Sequence, residues 1–148
     1  MRVAVIPGTK AHAHSILSNM RGIDLVEVER IGVDPRKTME EAMARAVVTW
    51  AGTIDGKLVC LGGIEQASIL SDCAYLWLVT TKAVEDHPFI FVRRSQMVLS
   101  AIFQDYGYRM VYGVVDKDFD RSIKWLRWLG FEIDPPEGQF RTFSKSRN

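Results

Sequence analysis

A chain of 148 residues, 47% hydrophobic and 25% charged, is long enough for one ordinary domain that buries its core without help from metals or disulfides. Its 19 basic and 18 acidic residues leave a net charge of +1, which excludes the strong positive field of a nucleic-acid-binding surface. Two cysteines, Cys60 and Cys73, are too few for a disulfide framework and are not spaced as a zinc site, and no apolar run reaches the roughly 18 residues of a membrane span.

The start, MRVAVIPGTKAHAH, is too short and polar for a secretory leader. Residues 2–6, RVAVI, form a first strand stopped by Pro7-Gly8. Residues 11–20 are weakly helical, with His12 and His14 read as surface residues, and DLVEVERI at 24–31 has an ambiguous period. Pro35 opens a helix, PRKTMEEAMARA, in which Met39, Ala42, Met43 and Ala46 recur at helical spacing. VVTWAGTI, then Asp55-Gly56, then KLVCLGGIE reads as a hairpin, since Asp-Gly between β-branched runs is a strong turn signal. AYLWLVTT at 74–81 is a central strand apolar on both faces, as a fully buried strand would be.

Pro88 leads into a long amphipathic helix, FIFVRRSQMVLSAIFQDYG, closed by Gly107. RMVYGVVD at 109–116 is the next strand. Asp118 or Asp120 caps the helix DRSIKWLRWLG, which ends at Gly130. FEI and FRTFS, joined through Pro135-Pro136 and Gly138, close the chain as an antiparallel pair. Both cysteines are read as buried thiols of a reducing compartment. Trp125 is expected in the core, on one helical face with Ile123, Leu126 and Leu129, and Trp128 at its rim. The order mixes antiparallel hairpins with a βαβαβ unit: a mixed α/β fold in one domain over residues 1–148.

That order, with SIKWLRWLGFEI at 122–133, resembles the GCN5-related N-acetyltransferase (GNAT) superfamily over most of the chain, from Arg2 to about Ser144. The resemblance implies a central twisted mixed sheet of about six to seven strands flanked by about four helices. WLVTTKAVEDH (77–87), FVRRS (91–95) and VDKDFDRSIKWLRWLGFE (115–132) resemble a narrower branch, GNAT-like proteins of short-tailed phages, some of them internal virion proteins. In this superfamily acetyl-CoA pairs its pantetheine with the edge of the fourth strand and sets its pyrophosphate on amides at the start of the long helix. Carried onto this chain, that implies acetyl-CoA or CoA contacts at Leu78, Val79, Thr80, Lys82, Phe91, Val92, Arg93 and Arg94. The phage branch implies the host cytoplasm or a virion as location and a virion or host protein as partner, with a homodimer left open.

Two departures from the pattern are plain. The phosphate loop of the family reads Q/R-x-x-G-x-G/A, and here HPFIFV at 87–92 has no glycine to let the backbone approach a phosphate. Phe89, Ile90 and Phe91 then stand where they narrow or fill the groove. Lys82, Arg93 and Arg94 either supply charge in its place or form a solvated face. The tyrosine that many members use as general acid falls on Leu126, which has no proton to donate. The remaining candidates for proton transfer are Glu65 at the end of KLVCLGGIE, His87 beside Glu85 and Asp86, and Tyr112; His87 reads equally as a loop-ordering residue, and Tyr112, like Tyr75, as a packed aromatic. Two functions stay open: a catalytically weak or inactive phage protein on this scaffold, and an active acetyl-CoA-dependent N-acetyltransferase acting on an amine.

Overall fold

The computed structural model describes residues 1–19 and 34–147. The segment at 24–31 lies outside them. Seven strands form one sheet in the order β1-β2-β3-β4-β5-β7-β6: β1 Val3–Pro7, β2 Val48–Ile54, β3 Lys57–Glu65, β4 Cys73–Thr80, β5 Met110–Asp116, β6 Glu132–Ile133 and β7 Phe140–Ser146. The helices among the described residues are α1 Lys10–Asn19, α2 Pro35–Arg45, α3 Pro88–Tyr106 and α4 Asp120–Trp128, with a 3₁₀ turn at Lys82–Asp86. The chain divides into two compact units, Met1–Glu65 with Trp77–His87, and Gln66–Leu76 with Pro88–Asn148.

In the first unit the Asp-Gly signal holds. Asp55 and Gly56 take φ of 51° and 80°, the left-handed pair of a type I′ turn whose twist suits the strands on either side. The same turn ties down the chain start, because the Arg2 N–H donates to Asp55 Oδ1 at 2.7 Å. Strand β1 reaches one residue further than expected: Pro7 pairs with Trp50 at the sheet edge, where a missing N–H costs little. Helix α1 starts with a reciprocal cap. The His12 N–H donates to Thr9 Oγ1 at 3.3 Å, and the Thr9 N–H donates to His12 Nδ1 at 3.0 Å. His12, read as a plain surface residue, therefore organises a helix start. Asp34 caps α2 through the Arg36 N–H. Ala13, Ile16, Met39, Ala51 and Leu61 form the core of this unit, and Trp77 and Val79 pack on it.

Gly63 has a specific purpose here: a Cβ would meet the Trp77 ring at 2.7–2.8 Å, so the indole lies where only glycine leaves room. Cys60 sits over Gly52 in the same way. Burial pushes its thiol up to about 11, with a hydrogen bond from Gly52 opposing. A thiol raised in the folded state contributes stability that is whole below the unfolded value near 9 and is lost as pH rises toward 11. Stability is therefore expected to fall by on the order of 2 kcal/mol across that alkaline window, and Cys60→Ala to flatten the fall in denaturant titrations.

In the second unit α3 runs from Pro88 to Gly107, whose φ of 66° and N–H bond to the Phe103 carbonyl form the expected stop. Strand β5 pairs in parallel with the start of β4, from Cys73↔Met110 to Tyr75↔Tyr112. The expected βαβαβ unit is only half present. Strand β7 lies antiparallel between β5 and β6, so β6 does not continue the parallel pairing of β4 with β5. Trp125 is buried and meets Phe91 with ring centroids 5.0 Å apart, while Trp128 is 45% exposed beneath the Lys124 ammonium.

Three further expectations are corrected. Strand β4 is central but not fully buried: Ala74 and Thr80 are, whereas Leu78 is 46% exposed. Neither Asp118 nor Asp120 is the N-cap of α4. Phe119 holds that position with no side-chain cap, because the buried Asp116 captures the preceding turn, accepting from the Asp118 N–H and from Gln139 Nε2, both at 2.9 Å. Cys73 is not buried among apolar groups but sits in a surface cluster. Arg109 Nε donates to Asp72 Oδ2 at 3.0 Å, and the Cys73 thiol donates to Asp72 Oδ1. Those two bonds hold the Asp72 carboxyl below its usual range.

Candidate functional site

Strand β4 and the start of α3 carry most of the residues singled out from the sequence, and each is described within its own unit. Within the first unit, Trp77–Thr80 extend β4 past its parallel register with β5. Thr81 then turns the chain, its hydroxyl donating to the Leu58 carbonyl at 3.1 Å and its N–H to the Val59 carbonyl at 2.8 Å. The 3₁₀ turn follows on the buried Val84, with Lys82 exposed at its start and His87 closing it through a bond to the Val84 carbonyl. Leu78, Val79, Thr80, Lys82 and His87 thus gather at one end of β4.

Glu65 does not join them. It is six residues from Val59 along β3, roughly 20 Å at strand rise, and therefore at the far end from His87. Its Oε1 is 3.5 Å from Arg45 Nη2, and the carboxylate is only 18% exposed. A partly buried carboxylate held by a guanidinium serves first to anchor the end of α2. Glu65 and His87 therefore do not form an acid–base couple. Among the described residues no group of three or more His, Cys, Asp and Glu is placed to hold a metal ion, and no helix is long and apolar enough to cross a membrane.

In the second unit the bonding of α3 decides which amides at its start stay without an intrahelical acceptor. Helical bonding begins at Pro88, so Phe91 and Val92 donate to the carbonyls of His87 and Pro88. Those two amides are spent inside the helix. Phe89 and Ile90 are the residues whose N–H groups have no intrahelical acceptor, and the first turn holds no carboxylate to compete with an anion. The signal was present: proline at the first helical position fixes which amides remain. The bulky side chains also behave differently from expectation. Phe91 turns into the core against Trp125, and Phe89 is 79% exposed, so neither ring packs across the helix start. Arg93 and Arg94 are exposed one turn further on.

Tyr112 and Tyr75 stand side by side in the β4–β5 register, edge to face at 5.5 Å. Leu126 occupies the last turn of α4, where its carbonyl accepts from the Phe131 N–H at 3.0 Å. A group the sequence did not single out is Trp77, whose indole Nε1 is buried and has no hydrogen-bond partner.

No protein-family model and no curated protein matches this sequence. Solved structures do match its fold along its whole length. A spermidine N-acetyltransferase SpeG chimera from Vibrio cholerae and hSSAT is similar with a TM-score of 0.75 at 9% identity, over 99% of this chain and 96% of that one. The GNAT domain of S. lividans PAT gives 0.74 at 16% identity, over 97% and 90%. The PaiA N-acetyltransferase from Thermoplasma acidophilum, solved in complex with coenzyme A, gives 0.73 at 10% identity, over 99% of both chains. The chain therefore has the fold of the GNAT acetyltransferases, as the WLRWLGFE stretch led one to expect.

Proposed function

We propose that this protein binds an acyl-CoA on the acetyltransferase scaffold and transfers the acyl group slowly or not at all. The observation that carries the binding half is the start of α3. Two amides without intrahelical acceptors, Phe89 and Ile90, lie at the positive end of a 19-residue helix with Arg93 and Arg94 one turn on. That arrangement suits a pyrophosphate even without the family's glycines, since the aromatic side chains on either side are turned to the core and to solvent. When bound, the cofactor supplies a thioester, and this chain's residues hold and orient it.

The weak-transfer half rests on what the same region lacks. A leaving thiolate needs a proton donor, and Leu126 has none. Glu65 is engaged by Arg45 and lies far from His87. Tyr112 has a hydroxyl, and it is the residue through which the second reading, an active N-acetyltransferase, would act; the spermidine and PaiA N-acetyltransferases among the fold's relatives favour that reading. Calorimetric titration with acetyl-CoA and CoA, followed by thiol release with spermidine and with a lysine peptide as acceptors, separates the two. Saturable binding with release near the buffer rate is the expected result. No heat at millimolar ligand removes the binding half, and release well above buffer that Tyr112→Phe abolishes establishes the second reading. We further propose, from the resemblance of residues 77–87 and 115–132 to phage proteins, a virion or a host protein as partner; mass spectrometry of purified particles tests the packaged version.

A further inference from the structure

Two stretches of the second unit are each of one sign of charge along the sequence. Residues 88–104 and 121–131 contain no carboxylate, and they carry Arg93, Arg94, Arg121, Lys124 and Arg127. Gln96 Nε2 reaches the Trp128 carbonyl at 3.4 Å, so the outer surfaces of α3 and α4 run together at that point. There Met97 is 57% and Trp128 45% exposed, with Lys124 lying 5.1 Å over the indole. The next stretch, EIDPPEG at 132–138, is the reverse. Glu132, Asp134, Pro135, Pro136 and Glu137 are all exposed, and no basic residue interrupts them. Among the described residues Lys124, Arg127, Glu132, Asp134 and Glu137 make no ion pair.

The acidic turn is also rigid. The Asp134 N–H donates to the Thr142 carbonyl and the Glu137 N–H to the Phe140 carbonyl, both at 2.8 Å, and Arg141 Nε donates to the Asp134 carbonyl at 2.7 Å. The two prolines fix their own φ. A segment already held in shape loses little freedom on docking. Its chemistry, prolines flanked by carboxylates, is that of an extended segment recognised by an aromatic surface with basic groups around it, and Trp128 with Lys124 and Arg127 presents such a surface.

We propose that the Glu132–Glu137 turn of one copy of this chain docks on the Lys124–Trp128 surface of a second copy. The two patches are complementary in charge and in apolar content, and every copy carries both. The contact is small and largely electrostatic, so it is weak, reversible and salt-sensitive.

Sedimentation equilibrium of the full chain over a range of concentrations tests this. In about 0.05 M salt the weight-average mass is expected to rise with concentration, and in about 0.5 M salt the dissociation constant to increase at least about tenfold. Lys124→Glu with Arg127→Glu, and separately Glu132→Lys with Asp134→Lys, should each return the protein to a monomer with an unchanged melting curve. Mixing the two variants should restore association, because the reversed patches then match. A wild-type mass that stays monomeric at low salt overturns the proposal, as does association that neither variant weakens or that mixing does not restore. If the protein alone stays monomeric while anionic vesicles or duplex DNA are captured through Lys124 and Arg127, the basic face has a different occupant and the proposal fails.

Discussion

Trp125→Ala is expected to lower the unfolding free energy by about 3–5 kcal/mol, the range for emptying a buried aromatic site. For a chain of this length that is a fall in Tm of roughly 6–20 °C. Trp125 is 7% exposed, and its ring meets Phe91, itself 7% exposed, at 5.0 Å and a 53° tilt. Removing it leaves the Phe91 ring beside a void in the core of the second unit. Phe91→Ala should cost a similar amount, and the double variant less than the sum, by about 0.5–1.5 kcal/mol of direct ring–ring interaction. Trp128→Ala is the internal control. That ring is nearly half exposed on the same helix, so its removal should change stability by no more than about 0.5 kcal/mol. Equal losses at the two tryptophans in thermal or denaturant unfolding would refute the division of the pair into a core residue and a rim residue.

The second large effect is at Gly113, in the middle of β5. A Cβ there would lie 2.3 Å from Phe143 Cζ, 2.5 Å from Cε2 and 2.7 Å from the Leu76 carbonyl oxygen. The ring has some freedom to move. The carbonyl belongs to the neighbouring backbone of β4 and has very little. Gly113→Ala should therefore cost about 3 kcal/mol, at the upper end of ordinary overpacking. Adding Phe143→Leu removes the ring from the problem. The loss is expected to persist in that double variant, and a full recovery would show that the ring alone was the obstacle. At Gly138, where nothing lies within 4 Å of the added atom, alanine should cost only the left-handed φ of 61°, about 1–2 kcal/mol.

Local chemistry made much of the fold legible. Asp55-Gly56, Pro35, Pro88, Gly107 and Gly130 each act through their own φ or a missing N–H, and each marks the boundary that their type implies. What could not be read locally was partnership. Nothing in FRTFS announces that it will lie between β5 and β6 rather than outside them, because strand order depends on pairing over distance. The exposure of Leu78 on an apolar strand, and the capture of Asp118 by Asp116, are likewise settled by neighbours remote in sequence or by competing hydrogen bonds.

The candidate site divides along the same line. The position of α3 and its proline were visible, and with them the two amides left without an intrahelical acceptor. Helix bonding shows that the Phe91 and Val92 amides are engaged within α3, which follows from where the helix begins. The surroundings of Glu65 were out of reach for a different reason. Its type suited a base, but the guanidinium of Arg45 and the length of β3 were tertiary facts. Leu126 carried the most weight from the start, since a side chain without a proton needs no coordinates to be judged.

The two borders of the sheet bear on how the protein behaves when concentrated. One border is β1, which ends in Pro7 and so lacks a donor there; the other is β6, two residues long and followed closely by two prolines. Neither offers the long run of unpaired amides and carbonyls on which a foreign strand can grow. Both borders of the described sheet therefore discourage a foreign strand from adding on. Crowding should instead give contacts made by side chains alone, which salt dissolves and dilution reverses, so that a turbid solution of this protein clears where an amyloid would not.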